Sequence, residues 1–293
     1  MMADPHFPFL TTRQADRLRT ETRAAFARRG VTTTAEGWRL RAGDWEYPLE
    51  ALAHKCRRVE DEHWAAVIDE HVAALLSSSG GADDLDRDGL LATMYVRLLP
   101  DDFAPDPNAF RYPRPVAAGL VEALAVDLPD KVQVLDDDRV ARVGLEAARA
   151  AGLRNLAALP IEDHEVAHTS DGTAIHLING ESMFVASMAV VLPELMRRTI
   201  GTEPPADGVF VAVPWRHNLA FHPIVDTSSV DALNALTNYA VGAYDDNPGS
   251  LSPRVYWWRN GTLTATTEID DQAQTIAVVP PPDLIAVFDR LHA

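Results

Sequence analysis

The spacing of apolar side chains changes several times along the first part of the chain, and each change indicates a new element. The opening segment repeats apolar residues at helical spacing, with Thr11 or Thr12 as its N-cap and Gly30 at its end. Two short alternating runs around Ala42-Gly43-Asp44 then predict a hairpin. The predicted elements are a helix over 11–30, the hairpin over 37–49, a helical stretch over 49–76 that is broken near Val59, and a buried strand over 92–100.

Later segments mix strands and helices without a repeat or a regular alternation. One predicted helix begins at its N-cap, Ser182, and has an apolar face that consists of Phe184, Met188, Val191 and Leu195. Asn260-Gly261 predicts a tight hairpin turn between two apolar runs. The predicted elements are strands over 116–129, 131–135, 208–215 and 218–224, helices over 144–158, 182–199 and 228–244, and a hairpin over 254–265. This mixture predicts the α+β class, with mixed, mainly antiparallel sheets and packed helices.

A proline-rich connection suggests where the chain divides. Residues 101–115 read DDFAPDPNAFRYPRP, a composition that is typical of a linker. A chain of 293 residues is long enough for two domains of ordinary size. We therefore expect two subdomains, an N-terminal helical and hairpin part over residues 1–112 and a C-terminal α+β domain over residues 113–293.

Charge and cysteine content narrow the function classes. The formal net charge of −17 argues against a protein that neutralises nucleic-acid phosphates. Cys56 is the single cysteine of the sequence, so neither a disulfide framework nor a cysteine-based zinc site is expected. The opening residues lack the pattern of a signal peptide, and no apolar stretch is long enough to span a bilayer. We expect a cytoplasmic protein that binds neither nucleic acid nor membrane.

Residues 164–168 read H-E-V-A-H and match the H-E-x-x-H pattern of zinc peptidases. On a helix the two histidines would lie roughly 6 Å apart, whereas on a strand they would lie roughly 13 Å apart, too far to share one ion. The turn signal Asp171-Gly172 and the β-branched residues after it favour a strand in a hairpin. We therefore expect no zinc site; the alternative is a zinc-dependent hydrolase that uses His164, Glu165 and His168.

The same turn signal predicts how the two strands of this hairpin pair. A two-residue turn would bring His168 near Ile175 and Val166 near Leu177. Side chains of residues that pair in this way share one face of the hairpin.

A run of acidic residues resembles part of a calcium loop. Asp84, Asp86, Asp88 and Gly89 match the first half of an EF-hand, but Tyr95 stands where the loop requires a bidentate glutamate. We therefore interpret the run as an acidic turn, and we expect no cofactor.

Two segments concentrate side chains that suit ligand binding. The segment PWRHNLAFH contains an arginine whose planar fork can bind a carboxylate or phosphate, and histidines that can exchange protons. The segment YWWRNG offers aromatic and arginine side chains of the kind that dominate interfaces. The candidate binding residues are Trp215, Arg216, His217, His222, Trp257 and Arg259. The alternatives are an ordinary β-turn with exposed polar ends and tryptophans that pack in the core.

The succession of several segments resembles one bacterial family. In chain order these are TMYVRLLP, LVEALAVDLPDKVQVLDDDRV, AGLRNLAALP, NGESMFVASMAVVLPEL, VFVAVPWRHNLAF and LSPRVYWWRNGTL. Together they are similar to the YtpQ-like proteins, over roughly residues 90 to 265. The resemblance implies a bacterial α+β protein, and it implies no reaction and no catalytic residues.

The sequence contains no complete catalytic constellation. A non-enzymatic binding or regulatory protein is therefore the leading function class, with a protein partner or a small anionic ligand, and the zinc-dependent hydrolase is its rival. We expect the binding surface in the C-terminal part, where the two arginine- and tryptophan-bearing segments lie at strand ends or turns.

Overall fold

The computed structural model describes residues 3–42, 45–77, 81–104, 107–128, 131–169, 172–270 and 275–292. The chain forms two compact units, Met1–Gly80 and Gly81–Ala293. Both units contain helices and antiparallel sheets, which confirms the α+β class. Within the described ranges, every helix is too short or too polar to cross a membrane.

The described residues of the first unit form three α-helices, one 3-10 helix and a three-stranded antiparallel sheet. Thr11 caps the first helix: its hydroxyl accepts a hydrogen bond from the backbone N–H of Gln14, whose side chain accepts one from the N–H of Thr11. The predicted cap and the predicted hairpin are confirmed, although Gly43 and Asp44 of its turn lie outside the described residues. The elements are α1 (Thr12–Arg28), β1 (Thr34–Glu36), β2 (Arg39–Ala42), β3 (Trp45–Pro48), α2 (Glu50–Arg57), a 3-10 helix (Asp61–His63) and α3 (Trp64–Ser77).

The core of the first unit lies where α1 and α2 pack against α3. The break near Val59 is confirmed, because it separates α2 from the 3-10 helix that leads into α3. The largest buried side chains of this core are Phe7, Leu18, Phe26, Leu40, Leu49, Leu52, Trp64 and Ile68. Burial of these apolar side chains is the main stabilising contribution to the unit.

The second unit begins with a four-stranded antiparallel sheet and the helices that cover it. The longest strand, β6, pairs with the three others. Its helices include α6, in which Gly152 allows close approach to the backbone of β4. The elements are a 3-10 helix (Ala82–Asp84), α4 (Arg87–Thr93), β4 (Met94–Pro100), a 3-10 helix (Pro107–Ala109), β5 (Arg114–Ala117), β6 (Leu120–Leu128), β7 (Lys131–Val134), α5 (Asp137–Ala141) and α6 (Leu145–Ala158).

This sheet explains why the compact units do not divide at the proline-rich segment. The expected boundary between residues 112 and 113 would separate β4 from β6, with which it pairs along seven residues. Met94, Val96 and Leu98 of β4 are buried in the main core of the second unit. The division instead falls between residues 80 and 81.

The acidic run at the start of the second unit forms turns and a helix cap. The Oδ1 atom of Asp86 accepts a hydrogen bond from the backbone N–H of Gly89 at 2.8 Å and so caps α4. Asp84 accepts one from the N–H of Gly81 at 2.9 Å. These two hydrogen bonds make the run an acidic turn that leads into a helix, as the sequence predicts. Tyr95 lies beyond that helix, in β4.

The second sheet of this unit has six strands, all antiparallel, in the order β13-β12-β10-β11-β9-β8. Its outer strand, β8, is exposed along most of its length, and no strand among the described residues pairs with its far side. The elements of this part of the chain are β8 (Asp163–His168), β9 (Ala174–Asn179), a 3-10 helix (Ala186–Val191), α7 (Leu192–Thr199), β10 (Val209–Ala212), β11 (Asn218–Pro223), α8 (Ser229–Asp246), β12 (Val255–Arg259), β13 (Thr262–Ala265), β14 (Thr267–Asp270), β15 (Thr275–Val278) and α9 (Pro282–Leu291). The two further strands, β14 and β15, form a separate two-stranded antiparallel sheet.

Alternation along the strands gives this sheet two buried faces. Tyr256 and Trp258 contribute to the main core, whereas Trp257 packs on the opposite face with residues of α8 and α9. The alternative interpretation, in which tryptophans of this segment pack in the core, is therefore confirmed for Trp257. The turn between β12 and β13 is also confirmed, because Asn260 and Gly261 both have positive φ angles, 49° and 82°.

The predicted helix over 182–199 begins later than its sequence indicates. Ser182 is not an N-cap: its hydroxyl accepts a hydrogen bond from the backbone N–H of Phe184 within a turn. In an α-helix the N–H of Ala186 would donate to the carbonyl of Ser182, but it donates to the carbonyl of Arg216. A tertiary hydrogen bond therefore replaces the first helical one, and the segment starts as a 3-10 helix at Ala186.

Candidate functional site

The H-E-V-A-H segment forms strand β8 of a hairpin with β9, as the sequence predicts. On a strand, Glu165 points to the opposite face from His164 and His168, and the two histidines are roughly 13 Å apart. This placement does not fit the helical site of a zinc peptidase. In the part of the chain that the structure describes, no group of three or more His, Cys, Asp or Glu residues is placed to hold a metal ion.

The register of this hairpin differs by one residue from the predicted one. His168 pairs with Ala174 and Val166 pairs with His176, so the expected partners Ile175 and Leu177 lie on the other face. The reason is a longer loop, residues 169–173, instead of a two-residue turn. Its ends are joined by a hydrogen bond from the N–H of Thr169 to the carbonyl of Thr173 and by one from the N–H of Thr173 to the hydroxyl of Thr169. Asp171 lies outside the described residues.

The observed register brings two histidines together. The Nε2 atom of His164 lies 3.1 Å from the Nδ1 atom of His176. The ring of His176 stacks on Phe221, with 4.8 Å between the ring centroids. Burial, and then the neighbouring histidines, lower the pKa of His176 to about 4, so this ring is neutral at pH 7.

Trp215, Arg216 and His217 lie together in the connection between β10 and β11. The backbone N–H of Arg216 donates to the carbonyl of Gly249, and the ring of Trp215 lies 5.1 Å from that of His217. All three side chains are partly exposed, so solvent reaches them. The turn therefore presents one arginine and one histidine from a backbone that is hydrogen-bonded to Gly249 and Ala186.

The imidazole of His217 orients the guanidinium of Arg216. The Nε–H of Arg216 donates to Nε2 of His217 at 3.0 Å, so Nε2 is the unprotonated nitrogen. The Nδ1 atom, which then carries the proton, lies 3.2 Å from the carbonyl oxygen of Gly180 and donates to it. Burial, and then the charge of Arg216, lower the pKa of His217. A neutral histidine therefore accepts from the arginine.

A further arginine, Arg97 in the middle of β4, lies near this turn. The N–H of Leu98 donates to the hydroxyl of Ser187 at 2.9 Å, and the neighbouring N–H of Ala186 donates to the carbonyl of Arg216. The Nε atom of Arg97 is buried and has no hydrogen-bond partner among the described residues. Burial, and then the charge of Arg216, lower the pKa of Arg97 to about 10.

His222 belongs to a different environment, under α8. Its Nδ1 atom lies 2.8 Å from the carbonyl oxygen of Ala174, and its Nε2 atom lies 3.1 Å from the hydroxyl of Ser229. A serine next to a histidine is the pairing of a nucleophile with its base. However, Ser229 is fully buried and His222 is 5% exposed, so no substrate reaches the pair. Its hydrogen bonds join β9 and β11 to the start of α8.

Trp257 and Arg259 lie near the other end of β10. The indole N–H of Trp257 donates to the carbonyl of Asp207, just before β10. Trp215 lies beyond the opposite end of that strand, three residues after Ala212. The Nε–H of Arg259 donates to the carbonyl of Ala206, and its guanidinium lies 5.3 Å from the ring centroid of Trp257. The six residues predicted to form one binding surface therefore separate into three groups.

We call Arg97, Arg216 and His217 the arginine cluster. It contains two guanidinium groups and a neutral imidazole that accepts from one of them. Planar guanidinium groups bind carboxylates and phosphates through paired hydrogen bonds. The signal that could have identified Arg97 is a charged residue in the middle of the apolar strand MYVRLLP.

Comparisons with protein-family models, curated proteins and solved structures found no match.

Proposed function

We propose that the chain is a non-enzymatic binding protein of the bacterial cytoplasm and that the arginine cluster binds a small carboxylate or phosphate. The observation that supports this proposal is the buried Nε–H of Arg97, which has no hydrogen-bond partner among the described residues. A buried donor without an acceptor destabilises a folded protein, and a buried cation beside a second cation does so further. A bound anion would accept from Arg97 and offset the repulsion between Arg97 and Arg216.

The second arginine is already oriented for such a ligand. His217 accepts the Nε–H of Arg216, and the carbonyl of Gly180 holds His217 in turn. Because the side chain of Arg216 is constrained before binding, less conformational entropy is lost when an anion arrives. Gly249 contributes by leaving space, since a Cβ atom there would lie 2.6 Å from NH1 of Arg216.

The proposal predicts that Arg97 lowers the stability of the ligand-free protein and strengthens anion binding. Arg97→Met keeps most of the side-chain volume and removes the buried charge, so it should raise the free energy of unfolding by about 1–3 kcal/mol without ligand. The same variant should bind anions at least tenfold more weakly, which corresponds to ~1.4 kcal/mol. Urea unfolding measures the first effect, and calorimetric titration at constant ionic strength measures the second.

The titrations use inorganic phosphate and citrate, with chloride as the reference anion. Wild-type protein should bind one of the two saturably, with a dissociation constant between roughly 10 µM and 1 mM. Arg216→Met should also weaken binding tenfold or more, whereas Arg87→Met should leave it unchanged, because Arg87 is exposed at the start of α4. Equal affinity of wild type and Arg97→Met, or an equal loss with Arg87→Met, would contradict an anion site at the arginine cluster.

We also propose kinship with the YtpQ-like proteins. Its support is the succession of landmark segments from TMYVRLLP to LSPRVYWWRNGTL. In this chain these segments supply β4, β6, β7, most of α5, the second half of α6, the 3-10 helix before α7, β10, β11 and the β12–β13 hairpin. An experimental structure of a YtpQ-like protein tests the kinship: the strand order β13-β12-β10-β11-β9-β8 supports it, and a different connectivity contradicts it.

A further inference from the structure

A groove of about 340 Å³ lies in the second unit, between the edges of its two larger sheets. Strands β5 and β6, helix α6, the 3-10 helix before α7 and the β12–β13 hairpin all contribute to it. Its volume falls within the range of small-molecule sites. None of its lining residues belongs to the arginine cluster. The lining residues are Arg114, Pro115, Val116, Glu122, Leu153, Ala189, Val190, Trp258, Gly261, Thr262 and Leu263.

A buried carboxylate forms the polar part of this groove. Glu122, on β6, is 2% exposed. Its Oε2 atom lies 2.8 Å from NH2 of Arg114, and its Oε1 atom lies 2.7 Å from Nε of Arg149. Two guanidinium groups and one carboxylate give this trio a net charge of +1, so it favours an anion.

Arg114 is the member of the trio that a ligand can reach. Its side chain is 56% exposed, whereas that of Arg149 is 16% exposed. Among the described residues, the guanidinium of Arg114 donates through NH2 to Glu122, which leaves its Nε and NH1 groups for another acceptor. The buried carboxylate of Glu122 holds the guanidinium of Arg114 in position, as a supporting residue does in a preorganised site.

The other walls of the groove are apolar. Leu153, Val190 and Leu263 contribute aliphatic surface, and the partly buried indole of Trp258 contributes an aromatic surface. Apolar walls with a few placed polar groups are typical of sites that take small molecules. A flat hydrocarbon body in contact with these walls would be removed from water while its charged end meets Arg114.

We propose that this groove binds a small molecule with a single negative charge on a flat apolar body, such as an aromatic monocarboxylate. The net charge of +1 suits one carboxylate, and the carboxylate of Glu122 repels a second negative charge. The groove therefore discriminates against dianions, unlike a site made of arginines alone. This inference does not depend on the anion proposed for the arginine cluster, because the two sites share no residue.

The experiment compares 3-phenylpropionate with 3-phenylpropionamide, which has the same body and no charge. Each is titrated into ¹⁵N-labelled full-length protein while the indole N–H signal of Trp258, assigned with Trp258→Phe, is followed by NMR. The carboxylate should shift this signal saturably and bind at least fivefold more tightly than the amide. Arg114→Gln, which leaves Arg149 paired with Glu122, should reduce that preference to less than twofold. Arg87→Gln should preserve it.

Several outcomes would overturn the proposal. They are equal binding of the carboxylate and the amide, an equal loss of preference in Arg87→Gln, and no shift of the Trp258 signal up to about 20 mM ligand, the limit of weak binding. Binding of the carboxylate that survives Arg114→Gln but is lost in Arg97→Met would also overturn it, because that result assigns the ligand to the arginine cluster. Circular dichroism of each variant establishes that a loss of binding is not a loss of fold.

Discussion

At the scale of single residues, His176 shows how packing determines charge. Its ring is stacked on Phe221 and lies 3.1 Å from a nitrogen of His164. Protonation would place a positive charge in this partly buried position, which is why the pKa of His176 is lowered to about 4. An unfolded histidine takes up its proton near pH 6.5.

This difference predicts a loss of stability in acid. As pH falls from 6.5 to 4, the unfolded chain binds a proton at His176 while the folded chain does not, so the free energy of unfolding decreases. Because the ring is only partly buried, we expect His176 to account for about 1–2 kcal/mol of that decrease. Urea unfolding at pH 7, 5 and 4 measures this effect. Between pH 7 and 4, the free energy of unfolding of His176→Gln should decrease less than that of the wild type, by this amount.

The matched control for this prediction is Val166→Thr, which changes the residue that pairs with His176 and removes no titratable group. Val166 is 42% exposed and threonine has nearly the same size, so the packing around His176 is preserved. This variant should therefore retain the wild-type dependence on pH. Parallel stability curves for wild type and His176→Gln would show that the buried ring does not cause the loss.

At the scale of elements, the contact of α6 with β4 depends on a glycine, Gly152, whose lack of a side chain allows the close approach. A Cβ atom at Gly152 would lie 2.7 Å from the backbone N of Val96 and 2.9 Å from the carbonyl carbon of Tyr95. The helix therefore lies directly on the backbone of the strand that holds Arg97. Any outward movement of α6 would open the main core around Val96 and Ala151.

Gly152→Ala should destabilise the second unit even though alanine favours helices. The propensity gain of about 1 kcal/mol is outweighed by the overlap with the β4 backbone, so we expect a net loss of about 1–3 kcal/mol. Gly242→Ala is the control, because Gly242 lies in α8 with nothing within 4 Å of the added methyl group. Thermal unfolding should show a lower midpoint for Gly152→Ala and an unchanged or higher one for Gly242→Ala. The same shift in both variants would contradict the close approach.

Elements were predictable from sequence where local chemistry determines them. Thr11 as a cap and Asn260-Gly261 as a turn depend on neighbouring residues alone, and both predictions are confirmed. The register of β8 with β9 was not predictable, because it depends on a five-residue loop that Thr169 and Thr173 close. The late start of the helix after Ser182 depends on the distant carbonyl of Arg216.

The candidate site was predictable only in part, for a similar reason. Arg216 and His217 are neighbours in sequence, so their proximity follows from the chain itself. Arg97 joins them through contacts of β4 with the 3-10 helix, which no local pattern reveals. Trp257 and Arg259 were expected in the same surface because of residue type, but their position on β12 places them near the opposite end of β10.

At the scale of the whole molecule, the division into two units determines which fragments can fold. The second unit, Gly81–Ala293, includes β4 and therefore the complete four-stranded sheet. A fragment that begins at residue 113 lacks β4 and exposes the seven-residue edge of β6 that pairs with it. It also lacks the buried side chains of Met94, Val96 and Leu98.

We therefore expect residues 81–293 to fold on their own and residues 113–293 to fail. The longer fragment should unfold cooperatively in urea, and its amide NMR signals should be well dispersed. The shorter one should show neither property, because an unpaired edge and a large hole in the core cost several kcal/mol. Cooperative unfolding of residues 113–293 would restore the boundary at the proline-rich segment.

The overall charge leads to a second prediction at this scale. With a net charge of −17, the chain repels the phosphate backbone at long range. A salt titration with duplex DNA should detect no binding at physiological ionic strength. Submicromolar affinity under these conditions would show that a local basic surface overcomes the total charge.

The outer strand β8 affects how the protein behaves when it is concentrated. An open strand edge is a template on which further copies of a chain can stack into fibrils. At neutral pH this strand carries the carboxylates of Asp163 and Glu165, and the whole chain has a large net negative charge. Repulsion between like charges therefore keeps the copies apart. Near the isoelectric point of about 4.9 this colloidal protection disappears. Purification and storage well above that pH should therefore preserve a clear solution, whereas acidic buffers should promote fibrils that begin at β8.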